Sequence, residues 1–312
     1  MDYINNILRT HYNLEVLNVS NQQGGWASLA YKVDDGKSSY FLKVYEKKRA
    51  STPKLTALID QYIPILMWLK EYSNLKHHII VPILTKQSAY TCEDENNIYM
   101  LYDYIEGDTI GNQDLTDTQI KQFSQIVSEL HLYAEDIPIK TDAIKEDFDV
   151  TFLEQLKGTV SNGNNFPIDI WQLIRSYMKP LQEMIIRVER LARKLKAANL
   201  KMSLCHTDLH YWNLMQSDHL ILIDWEGLKL APVEADLMFV VNKDYFNKFI
   251  TIYRKNHPNF SIDSNVLQFY QEKRKLEDIW EFIEQLLYDK QEEQERVTTI
   301  NYLVDELKRI GE

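Results

Sequence analysis

The chain has 312 residues, 45% of them hydrophobic and 12% aromatic, which is enough apolar material for one large folded domain or two smaller ones. Its 35 basic and 46 acidic side chains give a net charge of −11, which repels polyanions and argues against nucleic acid as a partner. The cysteines are two, Cys92 and Cys205, too few for a disulfide framework or a paired-cysteine metal site.

The sequence predicts a cytoplasmic protein with no membrane partner. Residues 1–6 lack a basic segment followed by an apolar stretch, and the longest apolar run, 63–69, is too short to cross a bilayer. Few cysteines fit a reducing compartment. Composition leaves a monomer and a dimer equally open.

Residues 1–104 alternate β-type runs with one helical segment. The helical segment covers 52–72, and the turn signal Asp34-Asp35-Gly36 predicts a hairpin. Strands are predicted at 16–20, 30–34, 40–45, 79–84 and 98–104.

Helical periodicity dominates after residue 115. Thr116 and Gln119 form a capping-box pattern, which predicts that a buried helix begins at 117 and runs to 133. Two short strands, 202–205 and 220–223, interrupt the helical part. Further helices are predicted at 146–157, 167–197, 233–256, 264–289 and 292–310. The change of element type predicts an α+β fold with an N-terminal lobe at 1–104 and a helical C-terminal lobe at 105–312.

The segment 206–213 reads His-Thr-Asp-Leu-His-Tyr-Trp-Asn and is followed, after a predicted turn at 214–219, by an apolar strand that ends in Asp224. Phosphoryl transfer requires a carboxylate that orients an acceptor hydroxyl and takes its proton, together with oxygen ligands for magnesium. Asp208, Asn213 and Asp224 supply this set. The pattern therefore predicts a Mg²⁺-dependent kinase.

A second signal lies upstream, where Gly24, Gly25 and Ser28 occupy a loop between two predicted strands. Glycines let a backbone approach phosphates closely, although adjacent glycines also occur in ordinary hairpin turns. Lys43 follows inside the apolar strand 40–45. A lysine within such a strand either extends its ammonium group to solvent from an edge or requires an anionic partner such as a nucleotide phosphate. The combination with the downstream motif favours the nucleotide.

Together these motifs resemble the aminoglycoside phosphotransferase and choline kinase family, relatives of protein kinases, over nearly the whole chain. Residues 204–210, 223–225 and especially 230–239 are most similar to its spectinomycin phosphotransferase subgroup. The resemblance implies a protein-kinase-like two-lobed fold with a small β-rich N-terminal lobe and a larger, mainly helical C-terminal lobe. It also implies ATP or GTP as the phosphoryl donor.

The resemblance assigns roles to individual residues. It implies that Lys43 binds the α- and β-phosphates, that Asp208 is the catalytic base and that Asn213 and Asp224 hold Mg²⁺. Further implied positions are a hinge beside the adenine from Asp103 to Ile105 and a residue that supports the catalytic loop, Asp236.

The sequence departs from the family at one position. In the family, a helix supplies a glutamate that pairs with the strand lysine, which corresponds to Lys43 here. Between Lys47 and Lys70 the sequence offers one acid, Asp60. Either Asp60 reaches Lys43, or the pairing is weak or replaced. His206 is interpreted as a structural histidine that hydrogen-bonds the loop backbone.

The acceptor is predicted to be an aminocyclitol or aminoglycoside antibiotic such as spectinomycin. Glu226 and Asp278 are candidates for binding its ammonium groups, although Asp278 fits equally well an internal helical pair with Arg274. One alternative is kinase activity on choline, homoserine, methylthioribose, a sugar or a macrolide. An alternative of another class is a catalytically silent, kinase-like binding module.

Overall fold

The computed structural model describes residues 2–22, 28–163 and 166–311. These residues form two compact units. The first unit comprises Met1–Lys145, Ser203–Leu230 and Phe239–Phe260. The second comprises Glu146–Met202, Ala231–Met238 and Ser261–Glu312. The boundary at residue 104, drawn from the sequence, stays a prediction.

The first unit is built on an antiparallel sheet, of which the described residues form five strands in the order β1-β2-β3-β5-β4. The predicted strands 16–20, 30–34, 40–45 and 98–104 all belong to it, with bounds shifted by one or two residues. The central strand β3 pairs with β2 on one side and β5 on the other. The strands are β1 Asn18–Gln22, β2 Leu29–Asp34, β3 Ser39–Glu46, β4 Cys92–Glu93 and β5 Asn97–Asp103.

One face of this sheet is covered by helix α1, Asp2–Tyr12, which is not among the predicted elements. Ile4, Ile7 and Leu8 are buried against Val33, Leu42 and other inward side chains of the sheet. The spacing i, i+3, i+4 places these three apolar residues on one helical face, so the signal for α1 is present in the sequence.

The predicted helix 52–72 is divided into α2, Thr52–Thr56, and α3, Ile59–Tyr72. Leu58 leaves helical geometry with φ −111° and ψ 12°, and its carbonyl accepts the first hydrogen bonds of α3. Helical periodicity continues across the break, which is why the pattern alone predicts one helix.

The predicted strand 79–84 is wrong. Ile79 forms an isolated parallel bridge with Leu222, and the Ile83 amide donates to the Leu101 carbonyl at 2.7 Å. Pro82 lies between them and has no backbone N–H, so it cannot contribute a donor to a continuous ladder.

The helical part of the first unit begins with α4, Asp117–Leu130, whose predicted capping box is confirmed because Thr116 and Gln119 bond each other's backbone amides. Helix α9, Phe246–Tyr253, packs on α4 through the rings of Phe123 and Phe249, 5.6 Å apart. A small sheet, ordered β6-β8-β9 among the described strands, lies in the same unit. The remaining strands are β6 Asp108–Thr109, β7 Ser203–Cys205, β8 Leu214–Gln216, β9 Leu220–Leu222 and β10 Lys229–Ala231.

The second unit is helical, and the 25-residue α10, Ser264–Tyr288, packs against its other long helices. The predicted helix 167–197 divides at Tyr177, where φ is −107° and ψ is 10°. The predicted helix 233–256 divides into α8 and α9, and the predicted 146–157 begins later, at Phe152. The bounds are α5 Phe152–Ser161, α6 Ile168–Ser176, α7 Met178–Lys196, α8 Glu234–Leu237 and α11 Glu293–Gly311.

These elements confirm the predicted α+β class, with a β-rich N-terminal part and a mainly helical remainder. Within the described part of the chain, every helix is too short or too polar to cross a membrane.

Candidate active site

Lys43 lies in the middle of β3, where its backbone is paired with Ala30 and Met100. Its side chain is 9% exposed, and its Nζ lies 2.8 Å from Oδ1 of Asp224 and 2.5 Å from Oε1 of Glu226. Burial alone would lower the pKa of Lys43, but the two carboxylates outweigh it and hold that pKa well above the usual range. The lysine is therefore a buried cation with acidic partners, as its position in an apolar strand requires.

Asp224 lies two residues after the end of β9 and adopts the left-handed conformation, with φ 60° and ψ 66°. This conformation is uncommon for a residue other than glycine. The next three residues form a 3-10 turn anchored by the Trp225 indole, which donates to the Leu222 carbonyl at 3.0 Å. Asp224 keeps 35% of its side chain exposed, so it remains accessible while it pairs with Lys43.

Asp208 and Asn213 are brought together by the loop that connects β7 to β8. The Asn213 side-chain amide donates to the Asp208 backbone carbonyl at 2.9 Å and to its Oδ2 at 3.0 Å. His210 Nε2 lies 3.3 Å from the same carboxylate oxygen. The buried Asn213 thus fixes the direction of Asp208, whose side chain is 28% exposed.

Backbone contacts join this loop to the Asp224 turn. The Ile223 amide donates to the Asn213 carbonyl at 3.1 Å, and the Thr207 hydroxyl donates to the Gly227 carbonyl at 2.7 Å. The buried His206 Nε2 donates to the Ile223 carbonyl at 2.9 Å, which agrees with its predicted structural role. A continuous set of contacts therefore runs from Lys43 through Asp224 and Asn213 to Asp208.

The oxygens gathered here suit a hard divalent cation. Asp224 offers an accessible carboxylate, and Asn213 offers an amide on the adjoining loop, which are the ligand types that Mg²⁺ prefers. A buried ammonium group beside them matches the charge of a polyphosphate. The donor set therefore fits a magnesium–nucleotide complex.

Other predicted site residues have mixed positions. Gly24 and Gly25 lie outside the described residues. Ser28 is buried just before β2, Asp103 is exposed at the end of β5, and Ile105 is half-buried two residues later. Their predicted contacts with a nucleotide stay predictions.

The alternative acids also differ in environment. Asp60 is exposed in the first turn of α3, whereas Glu226 is 10% exposed and forms an ion pair with Lys43. Asp278 belongs to the second unit, where its Oδ1 lies 2.8 Å from Nε of Arg274, the helical pair that the sequence offered as an alternative. These contacts favour structural or lysine-directed roles for Glu226 and Asp278, and their predicted acceptor contacts stay predictions.

Two side chains of the site were missed from the sequence. The Tyr45 hydroxyl donates to Oε1 of Glu226, and Thr207, at φ 67°, ties the loop that carries Asp208 to the Asp224 turn. Tyr45 had a signal, because residues i and i+2 of a strand share one face and Lys43 marks the face that leads to the site.

Comparisons with known proteins agree with this geometry. The profile of the phosphotransferase enzyme family matches residues 19–258. No curated protein sequence matches the chain significantly.

Solved structures give a more extensive match. A spectinomycin phosphotransferase in complex with ADP and spectinomycin is similar with a TM-score of 0.75 and 22% identity, over 99% of this chain and 98% of that one. A microcompartment-associated aminopropanol kinase is similar with a TM-score of 0.65 and 12% identity, over 100% and 97% of the two chains. A macrolide 2'-phosphotransferase from Brachybacterium faecium has a TM-score of 0.55 and 12% identity, over 97% and 98%. The predicted protein-kinase-like fold is confirmed by this likeness.

Proposed function

The chain belongs to the phosphotransferase enzyme family, and we propose that it transfers the γ-phosphoryl group of a nucleoside triphosphate to a hydroxyl of an aminocyclitol or aminoglycoside antibiotic, conferring resistance. One observation carries the proposal: the set of contacts that joins Lys43, Asp224, Asn213 and Asp208 in one compact unit. A binding module that performs no transfer would need neither the acid nor both metal ligands.

Each residue has a distinct role in the proposed reaction. Lys43 binds the α- and β-phosphates, while Asn213 and Asp224 hold Mg²⁺. Asp208 orients the acceptor hydroxyl and accepts its proton as the new O–P bond forms and the bond from the γ-phosphorus to the departing nucleoside diphosphate breaks. Mg²⁺, when bound, neutralises charge that develops on the phosphates.

The acceptor class rests on two observations. The run 230–239 resembles the spectinomycin phosphotransferase subgroup, and the net charge of −11 attracts a polycationic acceptor. The alternative acceptors are choline, homoserine, methylthioribose, a sugar and a macrolide. A cytoplasmic location fits the two buried free thiols, Cys92 and Cys205, because free cysteines persist in a reducing compartment.

The proposal is tested by ADP release in the presence of a panel of hydroxyl acceptors, with calorimetric measurement of MgADP binding. We expect turnover of spectinomycin or another aminocyclitol. Turnover of metabolites or macrolides alone would refute the proposed acceptor, and nucleotide binding without transfer to any acceptor would favour a silent module. A chain that binds no nucleotide would refute the kinase assignment.

Asp208→Ala supplies the second arm of this test. We expect turnover to fall by about a hundredfold or more while MgADP affinity stays within about threefold of wild type, because Asp208 contacts the acceptor and not the nucleotide. Asp218→Ala is the matched control, since Asp218 is an exposed aspartate between β8 and β9. Unchanged turnover in Asp208→Ala would eliminate the role assigned to this residue.

A further inference from the structure

Glu226 combines three features that a residue bound only to an acceptor would lack. Its side chain is 10% exposed, and its Oε1 lies 2.5 Å from Nζ of Lys43. The same oxygen accepts a hydrogen bond from the hydroxyl of Tyr45. Lys43 and Tyr45 are neighbours on one face of β3, because side chains two apart in a strand point the same way. Glu226 therefore binds the strand at two points.

The helix that ordinarily supplies an acid for such a lysine offers none in contact here. Between Lys47 and Lys70 the acid is Asp60, which is exposed in the first turn of α3. The inward face of α3 instead carries Tyr62, which is 2% exposed. The 3-10 turn Trp225–Gly227, which carries Glu226, packs against this helix. Burial, followed by the charge of Glu226, raises the pKa of Tyr62 well above its usual range.

From these contacts we infer that Glu226 is the positioning residue for Lys43 and replaces a helix-borne glutamate. The inference rests on the proposed kinase function and deepens it. Asp224 is 35% exposed and accessible to a metal ion, whereas Glu226 is 10% exposed and directed at the lysine. When the oxygens of Asp224 serve Mg²⁺, Lys43 still keeps a buried anionic partner.

The backbone gives this arrangement a second consequence. Glu226 lies in the 3-10 turn Trp225–Gly227, directly after Asp224, and Thr207 ties that turn to the catalytic loop by its bond to the Gly227 carbonyl. The acid that positions the lysine is thus part of the segment that carries a metal ligand. Because this acid lies on the turn and not on α3, the Lys43–Glu226 pair requires no acid from the helix whose position controls the corresponding pair in protein kinases.

A double-mutant cycle on MgADP binding, followed by calorimetry, tests the inference. Glu226→Gln leaves Asp224 to serve both Lys43 and the metal, so we expect MgADP affinity to fall by about tenfold, as for loss of one charge-assisted hydrogen bond. Lys43→Met should cost at least as much. In the Lys43→Met background, adding Glu226→Gln should change affinity by less than about twofold, because the glutamate acts through the lysine.

Other outcomes would overturn the inference. Additive losses in the double variant would make Glu226 a metal ligand or an independent nucleotide contact. Loss of affinity in Asp60→Asn, with none in Glu226→Gln, would return the role to the helix. The matched control is Glu71→Gln, an exposed glutamate at the end of α3, which should bind MgADP as wild type does. Failure of the wild-type chain to bind MgADP would refute the kinase proposal itself, which is a separate result.

Tyr45→Phe is a milder variant, because it leaves both charges of the buried Lys43–Glu226 pair in place. It removes the hydroxyl that fixes Glu226, so we expect MgADP affinity to fall by about threefold. Lys43→Met should abolish this effect as well. A loss of the same size in the presence and absence of Lys43 would contradict the proposed coupling.

Discussion

Two residues of the site other than glycine adopt the left-handed backbone conformation, Thr207 at φ 67° and Asp224 at φ 60°. Such conformations cost about 1–3 kcal/mol each and persist where the surrounding structure holds them. Here the hydroxyl of Thr207 bonds the Gly227 carbonyl, and the carbonyl of Ile223, just before Asp224, accepts from His206. These contacts hold the two left-handed residues in the segments that carry Asp208 and Asp224.

Gly227→Ala tests how closely these segments must approach. A Cβ atom at position 227 would lie 2.6 Å from Oγ1 of Thr207 and 3.0 Å from the His206 carbonyl, so the two loops must move apart. We expect a loss of about 2 kcal/mol in the free energy of unfolding and at least about tenfold in turnover.

Gly158→Ala is the matched control for this substitution. Nothing lies within 4 Å of a Cβ atom at position 158, inside α5, so alanine should stabilise the helix by about 0.5–1 kcal/mol. Thermal unfolding and steady-state kinetics measure both variants. A Gly227→Ala protein with wild-type turnover would show that the close approach has no functional consequence.

Asp278 makes a pH-dependent contribution to stability. Burial raises its pKa from 3.8 to about 6, although the Arg274 guanidinium lowers it in part. The folded state therefore binds more protons than the unfolded state between these values, so this residue makes the protein less stable as pH rises through that range. Asp278→Asn removes the effect and should gain up to about 2 kcal/mol over wild type between about pH 4 and about pH 7.

Chemical denaturation across that pH range measures the difference between variant and wild type. A difference for Asp278→Asn that is constant over the range would contradict the assigned titration.

At the scale of elements, the sequence predicted features whose signals are local. The capping box of α4 was predictable because Thr116 and Gln119 are three residues apart. The break at Leu58 was not, since apolar periodicity continues through it. The prediction of a strand at 79–84 was wrong because it followed the β-type composition and gave too little weight to the missing N–H of Pro82.

The candidate site follows the same rule. Motif spacing was sufficient to select Asp208, Asn213 and Asp224, which lie within one stretch of the chain. The pairing of Lys43 with Glu226 joins residues 183 positions apart, and no local pattern encodes it. The sequence shows that the acid between Lys47 and Lys70 is Asp60, but only packing brings Glu226 to Lys43.

Thr116→Ala tests the element whose start was predicted best. The Thr116 hydroxyl accepts from the Gln119 amide, and the Gln119 side chain accepts in turn from the Thr116 amide. Loss of this cap should lower the free energy of unfolding by about 1 kcal/mol, measured by urea denaturation. Thr118→Ala, on an exposed position of the first turn, is the control and should be neutral or slightly stabilising. Equal effects of the two substitutions would show that capping contributes nothing here.

At the scale of the molecule, the two compact units differ in secondary structure and in the groups that they contain. The first holds the sheet, the loop that carries Asp208 and Asn213, and the contacts from Lys43 to Asp208. The second is helical and contains the partly buried acids Asp278 and Glu306, whose pKa values burial raises. The net charge, by contrast, is a property of the whole chain, and its field attracts or repels substrates at long range.

The net charge of −11 gives opposite predictions for the two substrates. A cationic acceptor is attracted and MgATP, an anion, is repelled by the same field, and salt weakens both effects as the Debye length falls below about 10 Å. Raising ionic strength from about 50 mM to about 500 mM should therefore raise the KM of an aminocyclitol by about threefold or more while the KM of MgATP stays constant or falls. An uncharged hydroxyl acceptor, assayed in parallel, should show no such rise. If both KM values rise together, salt acts on the fold or on the Lys43 pair, and the field of the whole protein has no part in selecting the acceptor.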